Sequence, residues 1–319
     1  MTSMLVIGAG LGGIATAARL AQRGYRVTVL EKCNQAGGRC GRLEKDGHRF
    51  DTGSTLYLIP ELYAKTFSEL GERIEDHLDL RRIDPTYHIH FGDGTTLALT
   101  SDLNAMQEQL EEIEAGSFGR FLRYLSEGHL HYKLSLPHVV ERNFNSFLEF
   151  FSPKNLFLFV RLKAHLNHYN HIGRYFKDPR LRIAFTFQNM YMGLSPYEAP
   201  AIFSLLQYSE FADGVWYPMG GMYSIIEALV AIAKKSGVKF VYNAPVVQID
   251  VDGRMATGVT LAGEQKMRAD LVVANADLPY VYRELLPVDG TSGRLERLDY
   301  GFSALMFYWG VDKRYPQLG

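Results

Sequence analysis

Four glycines fall within six residues near the start of the chain, in Gly8-Ala9-Gly10-Leu11-Gly12-Gly13. Gly8, Gly10 and Gly13 have the spacing G-x-G-x-x-G, and the chemistry open to such a turn is holding an anion. Gly8 allows the turn to be tight, Gly10 lets a pyrophosphate approach the backbone, and Gly13 lets helix and strand pack closely. A helix starting there faces the phosphates with free N–H groups. Glu31 adds the second half. A carboxylate at the end of the next strand accepts from both hydroxyls of an adenosine ribose and repels a 2′-phosphate, so NADP is disfavoured.

The elements that must position these residues are legible around them. Met4 to Ile7 reads as a buried strand, and Ile14 to Arg23 has helical spacing. Gly24 stops the helix. Tyr25 to Leu30 is a second strand, which Glu31 ends. A glycine turn alone is weak evidence of a ligand; turn, strand, helix, strand and acid in this order make a dinucleotide site the reading.

After the acid comes Lys32-Cys33-Asn34-Gln35-Ala36-Gly37-Gly38-Arg39, and later Phe50-Asp51-Thr52-Gly53-Ser54. Here the chain resembles the glutathione-reductase-like flavoproteins of the amine oxidase and phytoene desaturase group. The resemblance implies FAD, with Gly38 and Arg39 beside the pyrophosphate. The stretch Phe185 to Val251 is more specific. Within it, "GVWYP" is a short strand after an Asp213-Gly214 turn, Gly220-Gly221 gives a close backbone approach, and Met222 to Lys235 is a helix. A β-meander and a strand ending at Ala274-Asn275-Ala276 follow. With "FTFQNMYMGLSPYEAP" and "NADLPYVYRELLP", this pattern resembles carotenoid desaturases of the phytoene desaturase type, from Met4 to about Gln317.

That resemblance implies an α/β fold. It is a Rossmann-type FAD-binding domain of the glutathione-reductase-2-like kind with an inserted α+β substrate domain, and its C-terminal part is expected to be missing. The division it suggests is 1–100 for the FAD-binding part with a hairpin, 101–215 for a mainly helical substrate or membrane-facing part, 216–285 for the return to the FAD-binding domain, and 286–319 for the start of a second substrate-domain sheet segment. It places Gly8, Gly10, Gly12 and Gly13 at the pyrophosphate and Glu31 at the ribose, with Lys32 beside it. Gly53 and Ser54 would approach the flavin, Val246 would meet adenine through its backbone, Ala274 and Asn275 would lie close to the cofactor, and Gly220 and Gly221 would pass near the isoalloxazine. The implied activity dehydrogenates C–C single bonds of a long phytoene-like polyene by hydride transfer to the flavin, with oxygen or a quinone as final acceptor. The alternatives are another FAD enzyme of the same fold (a carotene isomerase, a retinol saturase-like enzyme or an amine oxidase) and an inactive fragment that binds flavin or lipid. No catalytic residue carries over; Arg142, Glu149 and Tyr191 are polar candidates near the cavity.

The 319 residues are 47% hydrophobic, enough for a sizeable core. A net charge of −1 gives no field for nucleic acid. Two cysteines, Cys33 and Cys40, argue against a disulfide scaffold. The N-terminal run lacks the basic residues of a signal peptide and is punctuated by glycine, and no run reaches the length of a membrane span. The segment from Phe144 to Tyr169 is apolar, aromatic and basic, with Pro153 breaking it. It reads equally as a surface helix on a membrane or a core helix under a substrate cavity. The expected location is therefore peripheral, on the cytoplasmic side of a membrane. His165, His168 and His171 recur every third residue, but no cysteine or acid completes a metal set, so no metal is expected. Glu108, Glu111, Glu112 and Glu114 read as a solvated helix face, and Gly92-Asp93-Gly94 as a hairpin turn.

Overall fold

The computed structural model describes residues 1–144, 146–286 and 291–315. Asn145, residues 287–290 and the end of the expected sheet segment at 316–319 lie outside them. The first unit is β1 (Ser3–Ile7), α1 (Leu11–Gln22) and β2 (Arg26–Leu30). Gly24 has φ +87°, which an L side chain rarely adopts, so the helix stops where the sequence predicts. Two short hairpin strands follow, β3 (Arg42–Lys45) and β4 (His48–Asp51), then α2 (Pro60–Glu69) and β5 (Leu80–Ile83). The hairpin expected around Gly92-Asp93-Gly94 is β6 (Tyr87–His90) and β7 (Thr96–Leu99).

The helical part is α3 (Leu103–Ile113), α4 (Ser117–Ser135), α5 (Phe147–Phe150), α6 (Pro153–Arg161), α7 (His168–Ile172), α8 (Pro179–Ala184) and α9 (Ser204–Ala212). Pro153 breaks the apolar run by starting a new helix, with the Ser152 hydroxyl accepting from the Asn155 N–H. The chain returns through β8 (Val215–Pro218), α10 (Tyr223–Lys235) and β9 (Lys239–Val241). The meander β10 (Val246–Asp252), β11 (Met255–Leu261) and β12 (Lys266–Arg268) follows, and then β13 (Leu271–Ala274).

The central sheet runs β13-β1-β2-β9, all parallel. Its side chains alternate between two covers, as a buried parallel sheet requires. Met4, Val6, Val27 and Val29 pack with Ile14, Ala17 and Ala18 of α1 and Ile225, Ile226 and Leu229 of α10. Leu5, Ile7 and Leu30 pack on the other face against Val246, Ile249, Val259 and Leu261 of the meander. A separate core of Met106, Leu110, Phe121, Tyr124, Phe176 and Phe185 holds the helical part together.

Several expectations change. β8 spans the boundary expected between 215 and 216, because it pairs antiparallel with β5 of the first segment. Residues 301–311 form no strand, although Tyr308 packs on Phe50 of β4. Glu108 and Glu112 are exposed, but Glu111 and Glu114 are half-buried. Glu111 accepts from the Gly116 and Phe118 N–H groups. Glu114 accepts from the Lys177 and Asp178 N–H groups and pairs with Arg120. These two acids tie helix ends together rather than facing water. α6 is not a core helix: Leu158 is buried, while Leu156, Phe157, Phe159 and Val160 are exposed.

Candidate functional site

The site begins where β1 meets α1. Gly8 has φ +96°, and its N–H donates to the Leu30 carbonyl at 2.8 Å, tying the turn to β2. Gly10 is the helix N-cap. It brings no capping side chain, and no acid stands in the first turn of α1. The first N–H groups of the helix and its positive end are therefore available to a phosphate. A β-carbon on Gly13 would lie 2.2 Å from the Gly8 carbonyl oxygen, which accounts for glycine there by packing alone.

Glu31 is almost fully buried below this turn. Its Oε2 accepts from the Ala9 N–H at 2.7 Å and its Oε1 from the Cys33 N–H at 2.9 Å. A carboxylate offers about four lone-pair sites, so both oxygens keep acceptor capacity for ribose hydroxyls. The Glu31 backbone bonds to Val241 and Ala244, which brings the start of β10 and the buried Val246 beside it. Lys32 is exposed.

The Gly37-Gly38 loop lies directly on the glycine turn. The Gly37 N–H donates to the Ala9 carbonyl at 2.8 Å, and a β-carbon on Gly38 would lie 3.3 Å from Gly10 Cα. A β-carbon on Gly53 would lie 1.9 Å from the Arg39 carbonyl oxygen, so the second glycine motif packs on the first. The Arg39 side chain is itself exposed, 3.4 Å from the Asp277 carboxylate. The Ser54 hydroxyl donates to the Leu56 carbonyl rather than to the turn. Ala274 pairs with Ile7, and Asn275 follows it against the glycines. Together these contacts join Gly8, Gly10, Gly12, Gly13, Glu31, Gly38, the Arg39 backbone, Gly53, Ala274 and Asn275 in one unit. Val246 borders it. These residues fit a dinucleotide: an uncapped helix end for the pyrophosphate, with a carboxylate beside it for the ribose.

Asp51 was not legible as part of this unit. Its Oδ2 accepts from the Met222 N–H at 2.7 Å and its Oδ1 from the Tyr223 N–H at 3.1 Å, capping α10 from a distant strand. Gly221 is glycine because a β-carbon there would lie 2.7 Å from Asp51 Oδ2. Arg49 holds the Gly220 carbonyl at 2.8 Å, and the Tyr223 hydroxyl donates to the Ala36 carbonyl at 3.0 Å. Gly220-Gly221 and the Gly37-Gly38 loop are thereby linked through α10. The signal in the sequence was an absence: α10 starts at Tyr223, and its N-cap, Met222, brings no capping side chain.

The polar candidates of the helical part are all engaged by structural partners. Arg142 pairs with Glu149 at 2.7 Å. Tyr191 donates to Glu210 at 2.9 Å and touches the Tyr87 hydroxyl, while Gln188 donates to the other Glu210 oxygen. Burial pushes the Glu210 carboxyl up to about 7, against the downward pull of hydrogen bonds from Gln188 and Tyr87. The three histidines do not converge. His168 bonds Tyr124 and Asn189, His171 bonds Glu127, and His165 lies against Phe159. Among the described residues no group of three His, Cys, Asp or Glu side chains is placed to hold a metal.

The family described as "Flavin containing amine oxidoreductase" matches residues 11–301. The chain is 46% identical over 316 residues to a zeta-carotene-forming phytoene desaturase of Myxococcus xanthus, covering 99% of this chain and 61% of that one. It is 44% identical over 320 residues to a phytoene desaturase of Phycomyces blakesleeanus, covering 99% of this chain and 55% of the relative. It thus spans somewhat over half the length of these relatives. Among solved structures, an oxidoreductase from Methanosarcina mazei superposes with a TM-score of 0.60 at 19% identity, over 92% of this chain and 63% of that one. That likeness concerns the fold.

Proposed function

The chain belongs to the flavin containing amine oxidoreductase family, and from that premise we propose that the protein is an FAD-dependent desaturase of a long polyene of the phytoene kind. The observation that carries this reading is the identity to phytoene desaturases along nearly the whole chain. The glycine turn, Glu31 and the Gly37-Gly38 loop, joined in one hydrogen-bonded unit, support it.

FAD, when bound, supplies the two-electron acceptor for removing hydrogen from a CH–CH bond. The protein's share is placement and shelter. The first turn of α1 would hold the pyrophosphate, and Glu31 would accept from the ribose hydroxyls. Gly38 and Gly53 let backbone approach without side chains in the way. The substrate loses a hydride and a proton, and a cation between flanking alkenes is spread by conjugation. Such chemistry asks little of side chains, which agrees with Arg142, Glu149 and Tyr191 being taken up by structural partners. Oxygen or a quinone would be the final electron acceptor.

We also place the protein on a lipid surface. A polyene dissolved in lipid gains little on entering an equally apolar cavity. Docking on the bilayer therefore serves better than extraction through water. Leu148 and Phe150 of α5 and Leu156, Phe157 and Val160 of α6 are exposed, with Lys154 and Arg161 among them. Among the described residues no helix is long and apolar enough to cross a membrane.

The test is conversion of phytoene in liposomes by FAD-supplemented protein. A rise in visible polyene absorbance is the expected result. Flavin-loaded protein that leaves phytoene unchanged in the presence of oxygen and a quinone contradicts the reading.

A further inference from the structure

Each glycine of the turn faces one side chain, that of Asn275. The Asn275 N–H donates to the Ile7 carbonyl at 2.8 Å, extending the β1–β13 ladder one residue past its end. This fixes its backbone beside Gly8, where a β-carbon would lie 2.6 Å from the Asn275 carbonyl oxygen. Its carboxamide then fills the concave side of the turn. Nδ2 stands 3.2 Å from where a Gly10 β-carbon would be and 2.9 Å from that of Gly13, and Oδ1 stands 2.9 Å from that of Gly12. The glycines are small for different reasons. Gly13 is blocked by the Gly8 carbonyl as well as by Asn275, whereas Gly10 and Gly12 meet only the Asn275 side chain.

We propose that Asn275 is the positioning residue of the glycine turn, an uncharged plug that sets its shape from β13 and leaves the helix end free for the phosphates. The inference rests on the reading of this turn as the pyrophosphate site. Its chemistry follows from the carboxamide being neutral. An aspartate of nearly the same shape would bring a negative charge to the N-terminus of α1, where it interacts favourably with the helix dipole. It would also repel the anion the turn is built to hold. The side chain that suits the empty turn better is therefore the one that suits the cofactor worse.

Two experiments on the whole chain test this. The first compares wild type with Asn275→Asp by thermal unfolding without FAD and by FAD titration at two salt concentrations. The unfolding midpoint should stay level or rise. FAD affinity should fall at least tenfold, and the loss should shrink as salt rises. A purely structural residue would lose both together and show no salt dependence. Equal FAD affinity in the two proteins overturns the proposal and leaves the cofactor site standing. A wild type that binds no FAD overturns both. The second experiment is a pair of rescues. Gly12→Ala should lower the unfolding midpoint by crowding the Asn275 side chain. Gly12→Ala with Asn275→Gly should recover that midpoint in large part, while FAD binding stays weak because the side chain that shapes the turn is gone. Gly13→Ala should not be recovered by Asn275→Gly, since the Gly8 carbonyl still obstructs it. Failure of the Gly12 rescue, or equal rescue of both, contradicts the assignment.

Discussion

Glu31 Oε2 accepts a hydrogen bond from the backbone N–H of Ala9 at 2.7 Å, inside the glycine turn itself. The acid proposed to hold the ribose is thus also a strut of the loop proposed to hold the phosphates. The carboxylate proposed for the ribose already holds the loop in shape, so little ordering is left for binding.

Removing that carboxylate should cost twice. Glu31→Ala takes away the ribose acceptor and the tether on Ala9. With charge-assisted hydrogen bonds contributing about 1.5 kcal/mol each, the expected loss of FAD affinity is roughly a hundredfold. Glu31→Gln, which keeps one acceptor oxygen, should lose less. A fluorescence titration showing Glu31→Ala within a factor of two of wild type would count against the ribose role.

Asp51 should matter for stability before it matters for chemistry. Its two hydrogen bonds to the first N–H groups of α10 replace a missing N-cap. Asp51→Ala should destabilise the fold by about 1–2 kcal/mol, as a lost cap does. The readout is a lower urea midpoint with an unchanged slope. An unshifted midpoint would mean that α10 is capped some other way.

Glu210 gives a pH signature. Its carboxyl, ordinarily at 4.5, is held up at about 7 by burial. The folded protein therefore keeps a proton that the unfolded chain releases, and stability from this group falls as pH rises from about 4.5 to 7. Above that it is constant. Glu210→Gln should remove the fall, so its midpoint should gain on wild type through this window and run parallel above it. His131 and His168, lowered to about 4 by burial, lose stability as pH falls below 6.5, but equally in both proteins. Parallel curves throughout would contradict the assignment.

The exposed apolar face of α6 predicts a separation of folding from docking. Phe157 and Phe159 are 68% and 44% exposed, so changing both to Asp should leave the unfolding midpoint nearly unchanged. Co-sedimentation with liposomes should be lost. Undiminished co-sedimentation would show that this face is not the docking surface.

The sequence told most where the signals are local. β1, the turn, α1, β2 and Glu31 lie within one short stretch, and each element carries its own pattern, so their assembly could be read directly. Asp51 could not be read this way, because the N–H groups it caps are 171 and 172 residues away. Glu111 and Glu114 looked solvated because helical spacing shows which face they share but not the unpaired N–H groups at 116, 118, 177 and 178 that face meets. The apolar run of α6 left its environment open for the same reason: composition says that a face is greasy and not what covers it. Asn275 is placed near the cofactor by resemblance, while its fit against the glycines comes from the ends of β1 and β13, far apart in sequence, lying side by side in the sheet.

The central claim is that the turn from Gly8 to Gly13 holds FAD, and one measurement reaches it most directly. The purified chain and its Gly13→Ala variant are incubated with FAD, freed of unbound cofactor by gel filtration, and scanned in the visible. The account predicts a flavin band in the wild type that is absent or greatly reduced in Gly13→Ala, whose added β-carbon meets the Gly8 carbonyl at 2.2 Å. No band in the wild type, or an equal band in the two, would contradict it.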